Sequence, residues 1–379
     1  MAAQPAIAKD ETKNIYRSSK IYINLSGDYN KMPGFGSFDT ICAQAAIPVC
    51  ALVGTSPFEP SLPGIPATCY SRSISLANTT IFQGATGVIH IIALIMTVIM
   101  ILHVRSKFTA VGRKEITSFF YLYIALTILS LVLDCGVIPP GSSSKPYFVA
   151  AQIAIAGATC MCLMINGFVG FQLYEDGTAL SLWMLRGVTF IWGGITFLVA
   201  IFTFKSIAGL SPTSTVALYV VMYIANALFL FVYVVMQLLL VTNTLQDRWP
   251  LGDIAFGLFF FVIGQVMLYA LGSTICTGAQ HYFDGVFFAS IANLLAVMMV
   301  YKFWDSITTE DLEFSVGAKT GNWDVKTPLM WARQGEDEGV SPYHDDANAS
   351  TVASVSGVKG RNLVPNQPPM IRHSYVDNL

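Results

Sequence analysis

The sequence predicts an all-α membrane protein in which seven helices cross the bilayer. Of its 379 residues, 54% are hydrophobic and only 12% are charged, which is about half the charged fraction of a typical soluble domain. The chain also contains seven long apolar stretches, and each reaches the roughly 20 residues that a helix needs to cross the hydrocarbon core. In order, these stretches cover residues 81–104, 115–137, 147–173, 181–204, 213–241, 252–272 and 281–303.

The predicted spans divide the chain into three parts. Residues 1–80 form a polar, cysteine-containing N-terminal segment, in which Ser37 is placed to cap a short helix that Pro48 ends. Residues 81–304 form the transmembrane bundle, and residues 305–379 form a tail. The tail is rich in Gly, Ser, Asn, Asp and Pro, which predicts disorder after about residue 317. Apolar residues among acids at 305–316 predict a short ordered extension of the seventh span.

Positive charges near the span ends predict the orientation of the bundle. The loops on one side carry seven Lys or Arg residues, and the loops on the other side carry two. Because Lys and Arg are retained on the cytosolic side, we expect a lumenal or extracellular N-terminus and a cytosolic C-terminus. The seven are Arg105, Lys107, Arg113, Lys114, Arg186, Arg248 and Lys302, and the two are Lys145 and Lys205.

The third span is dense in small residues. It reads AAQIAIAGATCMCLMINGFVG. Small side chains let helix backbones approach closely in a membrane, so we expect this span at the centre of the bundle.

The spans lack the reactive groups that membrane enzymes and transporters need. His90, His103 and His281 lie at three different depths, so a shared zinc ion is not expected, and His90 fits a packed polar residue better than a ligand. Ion transport usually requires charged residues deep in the membrane. In this sequence the charged residues of the spans lie near the span ends: Glu115, Asp134, Arg186, Asp253 and Asp284. We therefore expect no enzymatic activity, catalytic residue, metal or cofactor.

The charge balance also bears on partners. A formal net charge of −2 without a basic cluster argues against nucleic acid. The spans contact membrane lipids, and their lipid-facing sides can also contact another membrane protein. Self-association is an alternative use of the same surfaces.

Four of the seven cysteines are disulfide candidates on the predicted lumenal side. Cys42, Cys50 and Cys69 lie in the N-terminal segment, and Cys276 lies between the sixth and seventh spans. The predicted cytosolic loops and tail contain no cysteine, an asymmetry that suits an oxidising compartment. We favour a bridge between the N-terminal segment and Cys276 but leave the connectivity open, and free buried cysteines are the alternative.

One sequon is a glycosylation candidate. Asn24, in Asn24-Leu25-Ser26, lies far from the membrane on the predicted lumenal side. Asn78 directly precedes the first span, and Asn348 lies on the predicted cytosolic side.

Several stretches resemble the fungal chitin synthase export chaperone family. They match in order and spacing from about residue 35 to residue 317, and the first 34 residues and the tail are not covered. They are residues 35–54 (FGSFDTICAQAAIPVCALVG), 69–83 (CYSRSISLANTTIFQ), 109–123 (TAVGRKEITSFFYLY), 166–186 (NGFVGFQLYEDGTALSLWMLR), 247–254 (DRWPLGDI) and 281–317.

This resemblance implies a function that composition and spacing do not reveal. Members of the family are seven-span proteins of the endoplasmic reticulum membrane. They bind the catalytic subunit of a chitin synthase, promote its folding and its export to the cell surface, and so support chitin synthesis in the fungal cell wall. The resemblance also implies that some members accompany the synthase to the plasma membrane.

The start of the tail contains candidates for partner binding or export. Asp311-Leu312-Glu313 resembles an acidic signal for exit from the endoplasmic reticulum, and Phe314 follows it. The same residues are candidates for contact with the partner.

A seven-helix receptor is the main alternative, since it has the same expected orientation. Against it, the third span ends in Phe171-Gln172-Leu173-Tyr174-Glu175-Asp176, without the acid–Arg pair of rhodopsin-like receptors. The sixth and seventh spans also contain no Pro.

Overall fold

The structure is a computed structural model that describes residues 34–56, 63–76, 79–108, 110–139, 141–171, 177–244 and 248–317, without the side chains of residues 76, 79, 244 and 309–317. These residues belong to the first of two compact units, Met1–Gly321. The second unit, Asn322–Leu379, lies outside the described residues, as do the sequons at Asn24 and Asn78.

Short elements precede the first long helix. Helix α1 covers Asp39–Gln44, a 3₁₀ turn covers Pro48–Ala51, and strands β1 (Ile74–Leu76) and β2 (Thr79–Ile81) form an antiparallel hairpin. The expectation that Ser37 caps the first helix is wrong. The capping position is Phe38, and no side chain makes a cap hydrogen bond. Phe38 is buried in the core, and Ser37 lies one residue before the capping position.

Seven helical segments in the described chain are long and apolar enough to cross a membrane, which confirms the predicted count. The fifth span joins α6, a π-helical stretch (Val220–Ile224) and α7. A short helix, α9, lies between the sixth and seventh spans. The helices are α2 (Gly84–Ser106), α3 (Arg113–Asp134), α4 (Lys145–Val169), α5 (Ala179–Lys205), α6 (Val216–Tyr219), α7 (Ala225–Thr244), α8 (Pro250–Tyr269), α9 (Gly272–Gly278) and α10 (Gly285–Gly317).

Most span boundaries differ from the prediction by two to four residues, and two of the differences have clear local reasons. The first span begins at Gly84 because residues 79–81 pair with β1 and Gln83 has a positive φ angle of 45°. The seventh begins at Gly285 because Gln280 and His281 have positive φ angles of 51° and 68°, which a right-handed helix does not allow. At its other end, α10 continues to Gly317, so the backbone of residues 305–316, for which the sequence predicts a short ordered extension, is helical.

Helix α4 lies at the centre of the bundle, as its small residues predict. It packs against α3, α5 and α7, and half of its most apolar window is buried, the largest share among the seven spans. Its glycines allow this close approach. A Cβ added at Gly157 would lie 3.3 Å from Trp192 Nε1 of α5, and one added at Gly167 would lie 3.3 Å from Tyr233 Cδ2 of α7.

A second close contact joins α8 to α10. A Cβ at Gly264 of α8 would lie 2.9 Å from Ala292 Cβ of α10, and one at Gly257 would lie 3.3 Å from Met299 Cβ. The two helices therefore meet along a line of small residues.

The N-terminal segment is part of the folded core. Phe38, Cys42 and Val53 pack in one buried cluster with Val149 of α4 and Leu218 of α6. The segment thus closes one end of the bundle around these helices.

Candidate functional site

The N-terminal segment is attached to the loop before the seventh span by a structure that we call the disulfide clasp, formed by residues 69–72 and 276–284. Cys69 and Cys276 are bonded, with Cα atoms 6.1 Å apart. Arg72 N donates to His281 O at 2.8 Å, and the Arg72 guanidinium lies 4.7 Å from the centre of the Tyr282 ring. The clasp thus joins parts of the chain that are 207 residues apart.

A shorter disulfide stabilises the segment itself. Cys42 and Cys50 are bonded across eight residues, and Cys50 O accepts a 2.8 Å hydrogen bond from Ile65 N. Next to them, Gln44 Oε1 accepts a 2.6 Å hydrogen bond from Ser273 Oγ of α9. The structure thus pairs all four candidate cysteines, in a connectivity that the sequence left open.

Asp284 links the clasp to the seventh span. Its Oδ1 accepts a 3.0 Å hydrogen bond from Phe287 N in the first turn of α10, and its Oδ2 lies 3.3 Å from Ser71 Oγ. Asp284 is buried. Burial raises the pKa of this carboxyl above its ordinary value, and the negative charge of Asp134 raises it further. The hydrogen bonds from Phe287 N and Ser71 Oγ lower the pKa and so offset part of this rise.

His90 and Asp134 form a buried pair between α2 and α3. His90 Nε2 lies 3.0 Å from Asp134 Oδ2. The prediction that His90 is a packed polar residue is therefore confirmed. Removing one partner of such a pair leaves a buried polar group without its hydrogen bond, which typically costs about 1–3 kcal/mol.

The candidate metal ligands of the described chain form one cluster. Cys69, Cys276 and His281 bring their ligand atoms within 4.8 Å of one another. Both sulfur atoms are used by the disulfide, and thiolates, not disulfide sulfurs, are the metal ligands that cysteine provides. His281 Nδ1 lies 3.1 Å from Tyr70 O, so this histidine is part of the clasp.

Polar contacts also hold the opposite end of the bundle together. Lys107 pairs with Asp305 and lies over the Trp304 ring, and Trp304 Nε1 donates to Val111 O at 3.1 Å. Lys302, which the sequence places at a membrane edge, lies 3.4 Å from Asp253. These contacts hold α10 against the end of α2, the loop that follows it and the start of α8.

The buried Glu115 contacts the residue pair Gly177 and Ser181 at the start of α5. Its Oε1 accepts hydrogen bonds from Gly177 N at 2.9 Å and from Ser181 Oγ at 3.1 Å. The contact joins the start of α3 to the start of α5 at the same end of the bundle.

The four candidates for export or partner binding lie in the last turns of α10. The backbone of Asp311, Leu312, Glu313 and Phe314 is helical, and their side chains lie outside the description. The structure brings them together on one helix end, away from the disulfide clasp.

Large apolar side chains cover the outside of several spans. Only 11% of the most apolar window of α8 is buried, and Phe259 on this helix is more than half exposed. On α5, Phe190 is 81% exposed. In a membrane these faces contact lipid or another protein. The sequence shows only that these helices are apolar, and the structure separates their packed faces from their open faces.

Comparison with known proteins gives consistent matches over most of the chain. Residues 34–318 match the model of a family described as chitin synthase export chaperone. A Neurospora crassa protein named chitin synthase export chaperone is 62% identical over 326 residues, which cover 86% of this chain and 91% of that protein. A Gibberella zeae protein of the same name is 64% identical over 298 residues, 79% of this chain and 89% of the relative. No solved structure matches.

Proposed function

The chain belongs to the chitin synthase export chaperone family, and on this premise we propose that it binds a chitin synthase catalytic subunit in the endoplasmic reticulum membrane and promotes its folding and export. The observation that carries this proposal is the extent of the similarity. Relatives with this name are about three-fifths identical over four-fifths or more of the chain.

The open span faces support a mechanism based on contact. A multi-span synthase that is not yet assembled exposes polar transmembrane groups to lipid, where they are costly. A partner bundle can cover such groups by close helix packing and hydrogen bonds. The exposed faces of α5 and α8 are available for this role.

The orientation belongs to the same proposal. We place the N-terminal segment and its two disulfides in the lumen, where the oxidising environment favours such bonds, and the end of α10 in the cytosol. Export machinery in the cytosol could then reach the chain from residue 305 onward. At the plasma membrane, continued contact would support the activity of the synthase.

The first experiment is deletion of the gene in the source fungus with a tagged synthase as the readout. We expect the synthase to be retained in the endoplasmic reticulum and cell-wall chitin to fall, and the wild-type gene to restore both. In parallel, the tagged chaperone is purified in mild detergent and its co-purifying proteins are identified. Normal surface delivery of every chitin synthase in the deletion strain would contradict the proposal.

A second experiment separates export from binding at the end of α10. One variant changes Asp311 and Glu313 to Ala, and a second changes Leu312 and Phe314 to Ala. Normal co-purification of the synthase with blocked export indicates an exit signal, and loss of co-purification indicates a contact site. If neither variant alters either readout, both roles are excluded for these four residues.

No observation on the described residues specifically supports the receptor-like alternative. A count of seven helices is common to both readings, whereas the match over residues 34–318 is to the chaperone family.

A further inference from the structure

An imidazole lies next to the sulfur atoms of the disulfide clasp. His281 Nδ1 is 3.2 Å from Cys69 Sγ and 3.8 Å from Cys276 Sγ, and it is 3.1 Å from Tyr70 O. Because a carbonyl oxygen only accepts hydrogen bonds, we assign a proton to Nδ1, which then donates toward the carbonyl and the nearer sulfur. A donor at this position stabilises a thiolate, the reactive form of cysteine.

Contacts that do not involve sulfur also hold the two halves of the clasp together. Arg72 N donates to His281 O at 2.8 Å, and Arg72 Nη1 lies 3.4 Å from Tyr282 OH. Beside them, Ser71 Oγ lies 3.3 Å from Asp284 Oδ2. We therefore expect the two thiols of the reduced chain to remain neighbours, and a geometry held in this way speeds the reaction between two groups.

The two sulfur atoms of the clasp differ in access. Cys69 is 6% exposed and Cys276 is 1% exposed, and His281 beside them is exposed. A small reactant therefore reaches Cys69 more readily than Cys276. In the shorter disulfide the corresponding contact is of the opposite kind. Cys50 Sγ lies 3.8 Å from Ala45 O, and a carbonyl oxygen does not stabilise a thiolate.

We propose that the clasp is a thiol–disulfide exchange site in which Cys69 is the attacking thiol, His281 activates it and Cys276 resolves the product. The reactant is a low-molecular-weight disulfide such as oxidised glutathione. This inference goes beyond the proposed function, because it concerns a reaction of the chain itself and involves no client protein.

The reaction has two steps. In the first, Cys69 loses its thiol proton, and its thiolate attacks one sulfur of the glutathione disulfide. A mixed disulfide forms, and one glutathione leaves as a thiolate that takes up a proton. In the second, the Cys276 thiolate attacks Cys69 Sγ, closes the clasp and releases the second glutathione. Two protein thiols are oxidised, and one glutathione disulfide is reduced to two thiols.

Closure of the clasp depends on parts of the chain that are far apart. The bond spans 207 residues, and Asp284 of the clasp accepts a hydrogen bond from Phe287 N in the first turn of the seventh span. The exchange site is therefore complete only when the N-terminal segment and the start of α10 have met, so the bond locks a bundle whose last span is in place.

A trapping experiment tests which thiol attacks. The full-length protein is purified in detergent, reduced, freed of reductant and treated with oxidised glutathione, with a chelator to keep metal ions off the thiols. Alkylation stops the reaction, and mass spectrometry of peptides measures each adduct. In Cys276→Ser we expect glutathione to accumulate on Cys69. In the matched variant Cys69→Ser we expect Cys276 to react much more slowly, and equal or faster reaction there would overturn the assignment.

A second pair of variants tests His281 in the Cys276→Ser background. Asn and Asp are similar in size and both tolerate the positive φ angle of 68° at this position, but Asn keeps a donor where Asp places a negative acceptor. We expect His281→Asn to keep most of the rate at Cys69. We expect His281→Asp to slow it about tenfold at about pH 7, since a neighbouring charge changes the thiolate fraction of a cysteine by about that factor.

The pH dependence separates activation from a structural effect. The other ionisable groups of the clasp are the same in both His281 variants: Tyr70, Arg72, Tyr282 and Asp284. We expect the difference between the variants to shrink at about pH 9.5, because cysteine thiols are then ionised without help. A difference that persists unchanged at that pH would indicate a structural role and overturn the proposal, as would equal rates of the two variants at about pH 7.

The Cys42–Cys50 bond is the internal reference. Its rate of closure should be the same in both His281 variants, and gel filtration of the reduced protein checks that the bundle stays folded. If His281→Asp does not fold, the comparison of Cys276→Ser with Cys69→Ser still decides which thiol attacks. Unfolding of the reduced wild-type chain would show that the contacts around the clasp do not hold the two thiols together, and it would overturn the proposal.

Discussion

At the residue scale, the two disulfides of the described chain close loops of very different length. Cys69–Cys276 spans 207 residues, and Cys42–Cys50 spans eight. In the chain-entropy account, cross-links of these lengths stabilise the folded state by about 5 and about 2.5 kcal/mol, respectively. Membrane insertion keeps the ends of the long loop closer together in the unfolded chain, so the value for Cys69–Cys276 is an upper bound.

We therefore predict a ranking between two paired variants. Replacing Cys69 and Cys276 with Ser should lower the thermal stability of the purified protein more than replacing Cys42 and Cys50 with Ser. The measurement is thermal unfolding in detergent, with mass spectrometry of unreduced peptides to verify the remaining bond. Equal stability of the two variants would argue against the long-range bridge, and free thiols at all four positions in the wild type would exclude both bonds.

Asp284 predicts a pH dependence of stability. Because burial raises the pKa of this carboxyl in the folded protein, the folded state holds the proton more tightly than the unfolded chain does. The contribution of Asp284 to stability is therefore most favourable below pH 3.8, the ordinary pKa of this carboxyl. It declines as pH rises through the raised pKa of the folded protein. Above the raised pKa, Asp284 is charged in the folded protein, and burial of that charge opposes folding.

The variant Asp284→Asn tests this dependence. Asn keeps an oxygen that accepts the hydrogen bond from Phe287 N but carries no charge. We expect its melting temperature, relative to wild type, to increase between about pH 4 and about pH 7. Asp284→Ala also loses the helix cap, and we expect it to be less stable than Asp284→Asn by about 1 kcal/mol throughout. A pH-independent difference between wild type and Asp284→Asn would contradict the prediction.

At the element scale, the contact between α8 and α10 depends on backbone approach at Gly264. Because a Cβ there would lie 2.9 Å from Ala292 Cβ, Gly264→Leu should separate the helices and destabilise the protein by about 1–3 kcal/mol. Gly252→Leu on the same helix is the control, since its position is open. Thermal unfolding measures both, and equal melting temperatures would show that the two helices are not in close contact.

The sequence predicts the helices better than their ends. Apolar length alone identifies all seven spans, because hydropathy is a local property of the chain. The start of the seventh span at Gly285 was not predicted, since the positive φ angles of Gln280 and His281 arise in the clasp. The hairpin of β1 and β2 was also missed, and its three-residue strands are too short for a clear alternating pattern.

At the scale of the whole molecule, the distribution of Lys and Arg predicts the orientation. We expect protease added to sealed microsomes to remove an epitope at the C-terminus and to leave an epitope at the N-terminus intact. If Asn24 is glycosylated, endoglycosidase should shift the wild-type protein but not Asn24→Gln. Digestion of the N-terminal epitope in sealed vesicles would reverse the proposed orientation and remove the reason to expect disulfides on that side.

The candidate sites could be predicted only in part, and the reason is distance along the chain. Cysteine counting identifies Cys42, Cys50, Cys69 and Cys276 as candidates, but their pairing depends on how residues 207 positions apart meet. The contact of His281 Nδ1 with Cys69 Sγ joins residues 212 positions apart. No window of the sequence contains such a combination.

The sequence by itself determined that this chain forms seven membrane-length helices with α4 at the centre. Apolar length and small side chains act within each helix, so they can be read residue by residue. Only the tertiary structure decided that the N-terminal segment closes one end of the bundle. It also decided which buried polar groups form pairs and which faces of α5 and α8 remain open. These features depend on contacts between helices, and contacts follow from the packed arrangement in space.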